Sequence, residues 1–389
     1  MTRPAAGFLG TGSYLPERSM SKADIAARVP DVTSEWIGQR EQRQQRQRLR
    51  GHLSGVQALR GHGHRESLAS TAMRATTLER VEVFTPERSV PIEDLGDSLG
   101  LQKYVVRMFR NIHGFDRVHE DPELDLFGLV AAAGERVVRA IPDPGVIRYL
   151  LFAHTVPDVT PSHIDAADVL RQALGLTDVE AFGVSQQYCA SGLAAIDIAS
   201  ELLRADGDPA ARALVLTGEK PVTKQFRVVN NTTILGEAST ACLVGVGGSG
   251  DVIRSYATKT QVLLPEGVYP SEDQVKEFND SYTPFLIETI ELAVERAGVM
   301  LDDITLLVPH NVSRLLWLRT IEELKFDRSR VYFDNIARYS HCCCADPFLN
   351  YATLRRESRL VEGGLYLLTS VGLGATYSAM VVEHTGEST

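Results

Sequence analysis

From Leu78 onward the apolar positions alternate between two rhythms. Short runs with apolar residues on both faces, at Tyr149–Thr155, Arg212–Gly218, Ala241–Val246, Ile304–Pro309, Arg330–Ile336, Leu365–Ser370 and Ser378–Glu383, predict strands covered by helices on each side. Helix-period patterns fill the gaps at Leu126–Ala140, Ser162–Leu174, Cys189–Arg204, Tyr282–Gly298, Ser313–Lys325 and Asp346–Arg359. Such alternation predicts an α/β protein. A Gly-rich, weakly patterned stretch near Gly245–Gly250 divides it into an N-terminal half, 76–250, and a C-terminal half, 251–389.

The first 75 residues break this pattern. Pro16-Glu17-Arg18-Ser19 recurs as Pro86-Glu87-Arg88-Ser89, and at the same offset Asp24 meets Asp94 and Arg40 meets Arg110. Both copies read as a short strand, a Pro turn and a helix. A compact fold has room for one of them. The second runs on without interruption into the rest of the chain, so 1–75 is expected to be an extension that duplicates the start. It includes Gln39–Arg50, almost devoid of apolar residues, which reads as a solvated linker. Without interleaved aromatics that tract offers no stacking surface for RNA.

Composition bounds the rest. With 44% hydrophobic and 23% charged residues, the 389-residue chain is an ordinary globular protein. No apolar run approaches the length of a bilayer span, and Met1–Gly10 has no secretory apolar stretch, so a cytoplasmic protein without a membrane partner is expected. A net charge of −10 argues against nucleic acid as a main partner. The five cysteines include three in a row, Cys342, Cys343 and Cys344, which excludes a disulfide framework. Three adjacent residues cannot easily converge on one ion and no CxxC pair exists, so neither a metal nor a cofactor is expected.

Three segments carry candidate chemistry. Cys189 follows a polar turn and opens a helix rich in Ala, Ile and Leu, a place where the helix dipole favours a thiolate; the alternative is a small buried hydrophobe. His310 ends the run Ile304–Pro309 at the tip of a buried strand, where an imidazole can polarise a carbonyl or take a proton, or serve structure alone. Asn335–Pro347 repeats the layout around Cys189 and supplies His341 and Asp346; Asp346 also suits an N-cap ahead of Pro347.

The ordered set of the Cys189 segment, Gly236-Glu-Ala-Ser, Pro309-His310-Asn311, Arg338-Tyr339-Ser340-His341 and Ser370-Val-Gly372-Leu-Gly374-Ala resembles the β-ketoacyl-acyl carrier protein synthase III family of the thiolase-like superfamily. The resemblance covers about four fifths of the chain, Leu78 to Val382. Gly10-Thr-Gly-Ser-Tyr-Leu-Pro and Ser34-Glu-Trp36-Ile in the extension resemble the family's start as well. The resemblance implies a five-layer α-β-α-β-α fold of two similar halves, a homodimer, and acylation of Cys189 by a CoA or acyl carrier protein thioester. It implies that His310 matches the first histidine of the family's Cys-His-Asn set. It also implies that the backbone N–H groups of Cys189 and of the Gly372-Leu373-Gly374 turn form the oxyanion hole.

Departures leave the reaction open. The family's Asn is replaced by His341, so two histidines face the cysteine, similar to the Cys-His-His set of elongating condensing enzymes. With Asp346 five residues on, the same histidine resembles the Cys-His-Asp set of non-condensing acyltransferases from antibiotic pathways. Trp36 resembles the aromatic that stacks on the CoA adenine, but its counterpart in the second copy is Val106, which favours a carrier-protein donor. Arg314 and Arg319, after His310, are candidates for meeting that acidic partner. The rival to an enzyme of fatty acid or polyketide biosynthesis is a catalytically silent partner subunit.

Overall fold

Thr76–Phe84 (β1) ends at Pro86, and a segment with its own small apolar cluster leads to Leu126–Ala140 (α1), which Asp125 caps by accepting from Gly128 N–H. There follow Ile147–Ala153 (β2), Ala166–Ala173 (α2), Glu180–Val184 (β3), Ser191–Asp206 (α3), Arg212–Glu219 (β4) and Ala238–Val246 (β5). The order then repeats: Asp251–Thr260 (β6), Glu272–Ala297 (α4), Ile304–Val308 (β7), Arg314–Leu324 (α5), Asp346–Arg356 (α6), Leu365–Gly372 (β8) and Thr376–Glu383 (β9). The computed structural model describes residues 75–221, 223–229, 232–261 and 271–386, within one compact unit, Ala72–Thr389. The repeated motif around Pro16, Trp36 and the Gln39–Arg50 tract lie outside the described residues.

Among the described residues nine strands join in the order β7-β8-β9-β6-β1-β5-β4-β2-β3. β2 runs parallel to β3 and β4, while β5 is antiparallel to both β4 and β1. The second set copies this: β7 is parallel to β8, and β9 is antiparallel to β8 and β6. The sets meet only where Thr76–Leu78 pair with Asp251–Ile253. Each therefore faces the other across helices.

Three apolar clusters fill the gaps. α1 and α2 cover β2, β4 and β5 through Val130, Val137, Leu170 and Leu216. α4 and α5 cover the second set through Leu286, Ile290, Trp317 and Val381. Between the sets lie α3, against β2, β4, β5 and β9, and α6, against β1, β5, β7 and β8; their largest core includes Leu193, Ile196, Tyr351 and Tyr366. The expected five layers of two similar halves are present.

Most expected elements fall in place; β3 joins them as a strand the apolar runs did not include, and three further differences stand out. Arg330–Ile336 is no strand: Val331 makes one parallel bridge to Leu307, and the chain turns into a helix at Asp334–Tyr339. The reason is Asn335, fully buried because its amide donates to Asn350 Oδ1 (2.9 Å) and Thr353 Oγ1 (3.0 Å) on α6, which an extended chain would not allow. α4 begins ten residues before the expected Tyr282, because Ser271 and Gln274 close a capping box and its first turns are too polar to show a buried stripe. β6 carries half-buried positions and was hidden by the Gly-rich stretch before it. β1, from the second copy of the repeated start, holds the strand position between β5 and β6, and Val106 is buried among Ile92, Phe109 and Phe115.

Candidate active site

The two middle-layer helices point their N-termini at one spot. Cys189 sits in the 3₁₀ turn Tyr188–Ala190 that feeds α3 and is 8% exposed; Tyr188, at φ +51°, takes the left-handed turn that brings the sulfur there. His341 lies in the matching turn ahead of α6. The two turns touch: a Cβ on Gly192 would stand 2.7 Å from the Cys344 carbonyl oxygen, so only glycine lets α3 come this close.

His341 links nucleophile and carboxylate. Its Nε2 lies 3.5 Å from Cys189 Sγ and its Nδ1 2.5 Å from Asp346 Oδ2. Asp346 also accepts from the N–H of Asn311 (2.6 Å) and of Cys342 (2.7 Å), so its orientation is set from three sides. It is not the N-cap that its place before Pro347 suggests: it is the first helical residue, Ala345 holds the cap position, and the carboxylate turns back to His341.

These contacts set the charges. The Cys343 thiol, foremost, and then the His341 imidazolium and the Thr155 hydroxyl hold the Cys189 thiol well below the usual thiol range, although burial opposes them. Burial works against a charge on His341 too, but the Asp346 carboxylate and the Cys189 sulfur outweigh it and push the ring up to about 10. These shifts favour a thiolate on Cys189 facing an imidazolium on His341. Burial pushes the thiols of Cys342, Cys343 and Cys344 well up.

His310 lies beside the Cys189–His341–Asp346 line rather than in it. It is fully buried, its Nε2 is 3.3 Å from the Tyr282 hydroxyl, and its ring stands 6.0 Å from that of His341. Burial and the neighbouring charge of His341 keep it neutral. Among the described residues its Nδ1 has no hydrogen-bond partner. Trp317 Nε1–H donates to its carbonyl, and Asn350 donates to the Pro309 carbonyl and to Asn311, so the turn is pinned between α5 and α6.

The Gly372-Leu373-Gly374 turn packs on the approach to the nucleophile: a Cβ on Gly372 would stand 1.9 Å from the Gln187 carbonyl oxygen, and Ser370 Oγ donates to the Cys189 carbonyl at 2.8 Å. Arg314 and Arg319 do not form one patch. Five residues along a helix turn them about 140° apart; Arg314 reaches the Asn111 carbonyl (3.4 Å), and Arg319 is exposed. Two surface cavities, about 260 Å³ beside His154 and Asp165 and about 390 Å³ beside Arg117 and Tyr339, are not lined by Cys189.

Sequence reasoning missed Thr155 and Glu219. Thr155 Oγ1 lies 3.7 Å from Cys189 Sγ, and Glu219, at the end of β4, accepts from the N–H of Thr155 (2.8 Å) and Val156 (3.3 Å). Burial pushes the Glu219 carboxyl up to about 8. A carboxylate ending an apolar strand, in Gly218-Glu219-Lys220, was the available signal.

The family model for the C-terminal part of 3-oxoacyl-[acyl-carrier-protein] synthase III matches residues 294–384. The β-ketoacyl-[acyl-carrier-protein] synthase III of Laribacter hongkongensis is 23% identical over 98% of this chain and all of its own. That of Rhizorhabdus wittichii is 26% identical over 62% of this chain and 78% of its own. In sequence the chain is similar to 3-oxoacyl-[acyl-carrier-protein] synthase III proteins, with residues 294–384 matching their C-terminal part. Among solved structures, this synthase III-like fold matches the acyltransferase ChlB3 with a TM-score of 0.71 at 18% identity, over 80% of this chain and 98% of that one. The synthase III of Aquifex aeolicus matches with 0.68 at 19% identity, over 79% of this chain and all of that one.

Proposed function

We propose that the protein moves an acyl group from a carrier thioester through an acyl-Cys189 intermediate to a hydroxyl, amine or thiol acceptor, without condensation. The observation that carries this is the line Cys189–His341–Asp346, with 3.5 Å and 2.5 Å links. The Cys189 thiolate attacks the thioester carbonyl, and N–H groups of Cys189 and of the 372–374 turn receive the oxyanion. Collapse expels the carrier thiolate, which takes the Nε2 proton of His341. The now neutral ring accepts the proton of the incoming acceptor as it attacks the acyl-enzyme, and returns it to the Cys189 sulfur as the product leaves. Asp346 holds the ring in the orientation both steps need.

Condensation is the second reading, favoured by one observation: the unpartnered Nδ1 of neutral His310 beside His341 could join it in holding an enolate oxygen. The donor is CoA or acyl carrier protein, with buried Val106 in place of a stacking aromatic favouring the carrier. The enzyme acts as a cytoplasmic homodimer. Intact-protein mass spectrometry across donor thioesters, with a Cys189→Ala control, tests the intermediate. The acyl mass should appear on Cys189 and be absent from the variant; a folded protein that accepts no acyl group from any donor overturns the proposal. Adding malonyl carrier protein to the loaded enzyme decides between the readings: carbon dioxide release selects condensation, and acyl transfer to an added nucleophile without it selects the first.

A further inference from the structure

The cysteine triplet does not act as a unit, because its three side chains diverge. Cys342 Sγ turns to the Tyr339 carbonyl (3.6 Å), and Cys344 Sγ to the Tyr188 carbonyl (3.2 Å) and the Thr155 hydroxyl (3.4 Å). Cys343, set apart by φ +55°, packs instead with Cys189 and Leu235. Its sulfur, the Cys189 sulfur and a ring nitrogen of His341 all lie within 4.8 Å of one another. The reasoning that adjacent residues cannot converge on an ion holds for the triplet but leaves this trio untouched, since one thiol is brought in from 154 residues away.

The spacing of the trio is close enough for one ion to be shared. Zinc with sulfur at about 2.3 Å and nitrogen at about 2.0–2.1 Å gives tetrahedral ligand edges of roughly 3.5–3.8 Å. The Cys189–His341 edge is 3.5 Å. His341 also carries the outer support that metal-bound histidines use, its far nitrogen held by a carboxylate, Asp346, at 2.5 Å. Two sulfurs and an imidazole suit a soft or borderline cation and exclude magnesium and calcium. All three donors are buried, so rival water ligands are few.

We propose that Cys189, His341 and Cys343 form a three-ligand site for a zinc-class divalent cation that silences the nucleophile while bound. Coordination uses the Cys189 sulfur as it stands and displaces two protons to solvent, one from the Cys343 thiol and one from His341 Nε2. No electrons move. A bound cation draws charge from the Cys189 sulfur and stands in the path of a thioester carbonyl, which lowers its nucleophilicity; this consequence for activity rests on the reading above, whereas binding itself does not.

Binding is tested without activity. Full-length protein, stripped with a chelator and kept reduced with a phosphine, is titrated with Co²⁺ as a spectroscopic substitute for Zn²⁺. The expected result is one ion per chain with thiolate-to-cobalt charge transfer and the strong visible bands of a tetrahedral site, lost when Zn²⁺ competes. Alkylating Cys189 with iodoacetamide should abolish the bands. Cys343→Ser should weaken binding at least about tenfold, and Cys342→Ser should leave it unchanged. No charge transfer at stoichiometric Co²⁺, or bands that a folded Cys343→Ser retains at full strength, overturns the proposal. Should Cys343→Ser not fold, peptide mapping of the native protein decides: Zn²⁺ shielding Cys189 and Cys343 together from alkylation supports the site, and shielding Cys189 alone refutes it.

Discussion

Asp346 accepts hydrogen bonds from His341, Asn311 and Cys342, so replacing it with Asn keeps the shape while removing the charge that makes His341 basic. Asp346→Asn should slow acyl transfer by roughly 10³–10⁴ with little loss of fold, as in other triads whose carboxylate is neutralised; single-turnover loading followed by mass spectrometry measures it. Glu219 offers a test in stability. Its carboxyl releases its proton near 4.5 when unfolded but only near 8 when folded, because burial disfavours the charge. Its contribution is therefore fully present below about pH 4.5 and is lost as pH rises toward 8, by up to about 1.4 kcal/mol per unit. Glu219→Gln should remove that slope, so that urea midpoints of wild type and variant converge or cross between pH 5 and 8. Parallel profiles would show that the carboxyl is already ionised in the fold.

At the scale of elements, the site depends on two helix starts in contact. Gly192 in the first turn of α3 lies against the Cys344 carbonyl and the Phe348 ring, where a Cβ would stand at 2.7 Å and 3.1 Å. Since the closer atom is backbone, relief requires the 343–345 turn to move, and with it His341. Gly192→Ala should cost about 1–3 kcal/mol in urea denaturation and slow loading more than a stability loss alone explains. A variant with unchanged stability and loading would show that the turns separate easily. This contact was only half legible. The helices after Cys189 and at Asp346 were readable from apolar periodicity, but the step from Val331 into the Asp334–Tyr339 helix depends on Asn335 meeting α6, a partner remote in sequence.

Across the described residues, β1 from the second copy of the repeated start fills the strand position between β5 and β6. Deleting residues 1–75 should leave solubility, unfolding temperature and Cys189 loading within error of the full chain. An insoluble or inactive truncation would show that the extension contributes to the fold or the site.

By itself the sequence determined the α/β alternation, the two buried helices and the residue types of the site, because periodicity and local turn chemistry act over a few positions. The link between His341 and Asp346 was within its reach for the same reason, being five residues long. Tertiary structure alone decided that His341 rather than His310 meets the thiol, that Glu219 props the Thr155 turn, and that Cys343 leaves its neighbours to face Cys189. Each of these depends on the distance between atoms far apart in the chain, which is set by how closely α3 and α6 pack between the two sheets.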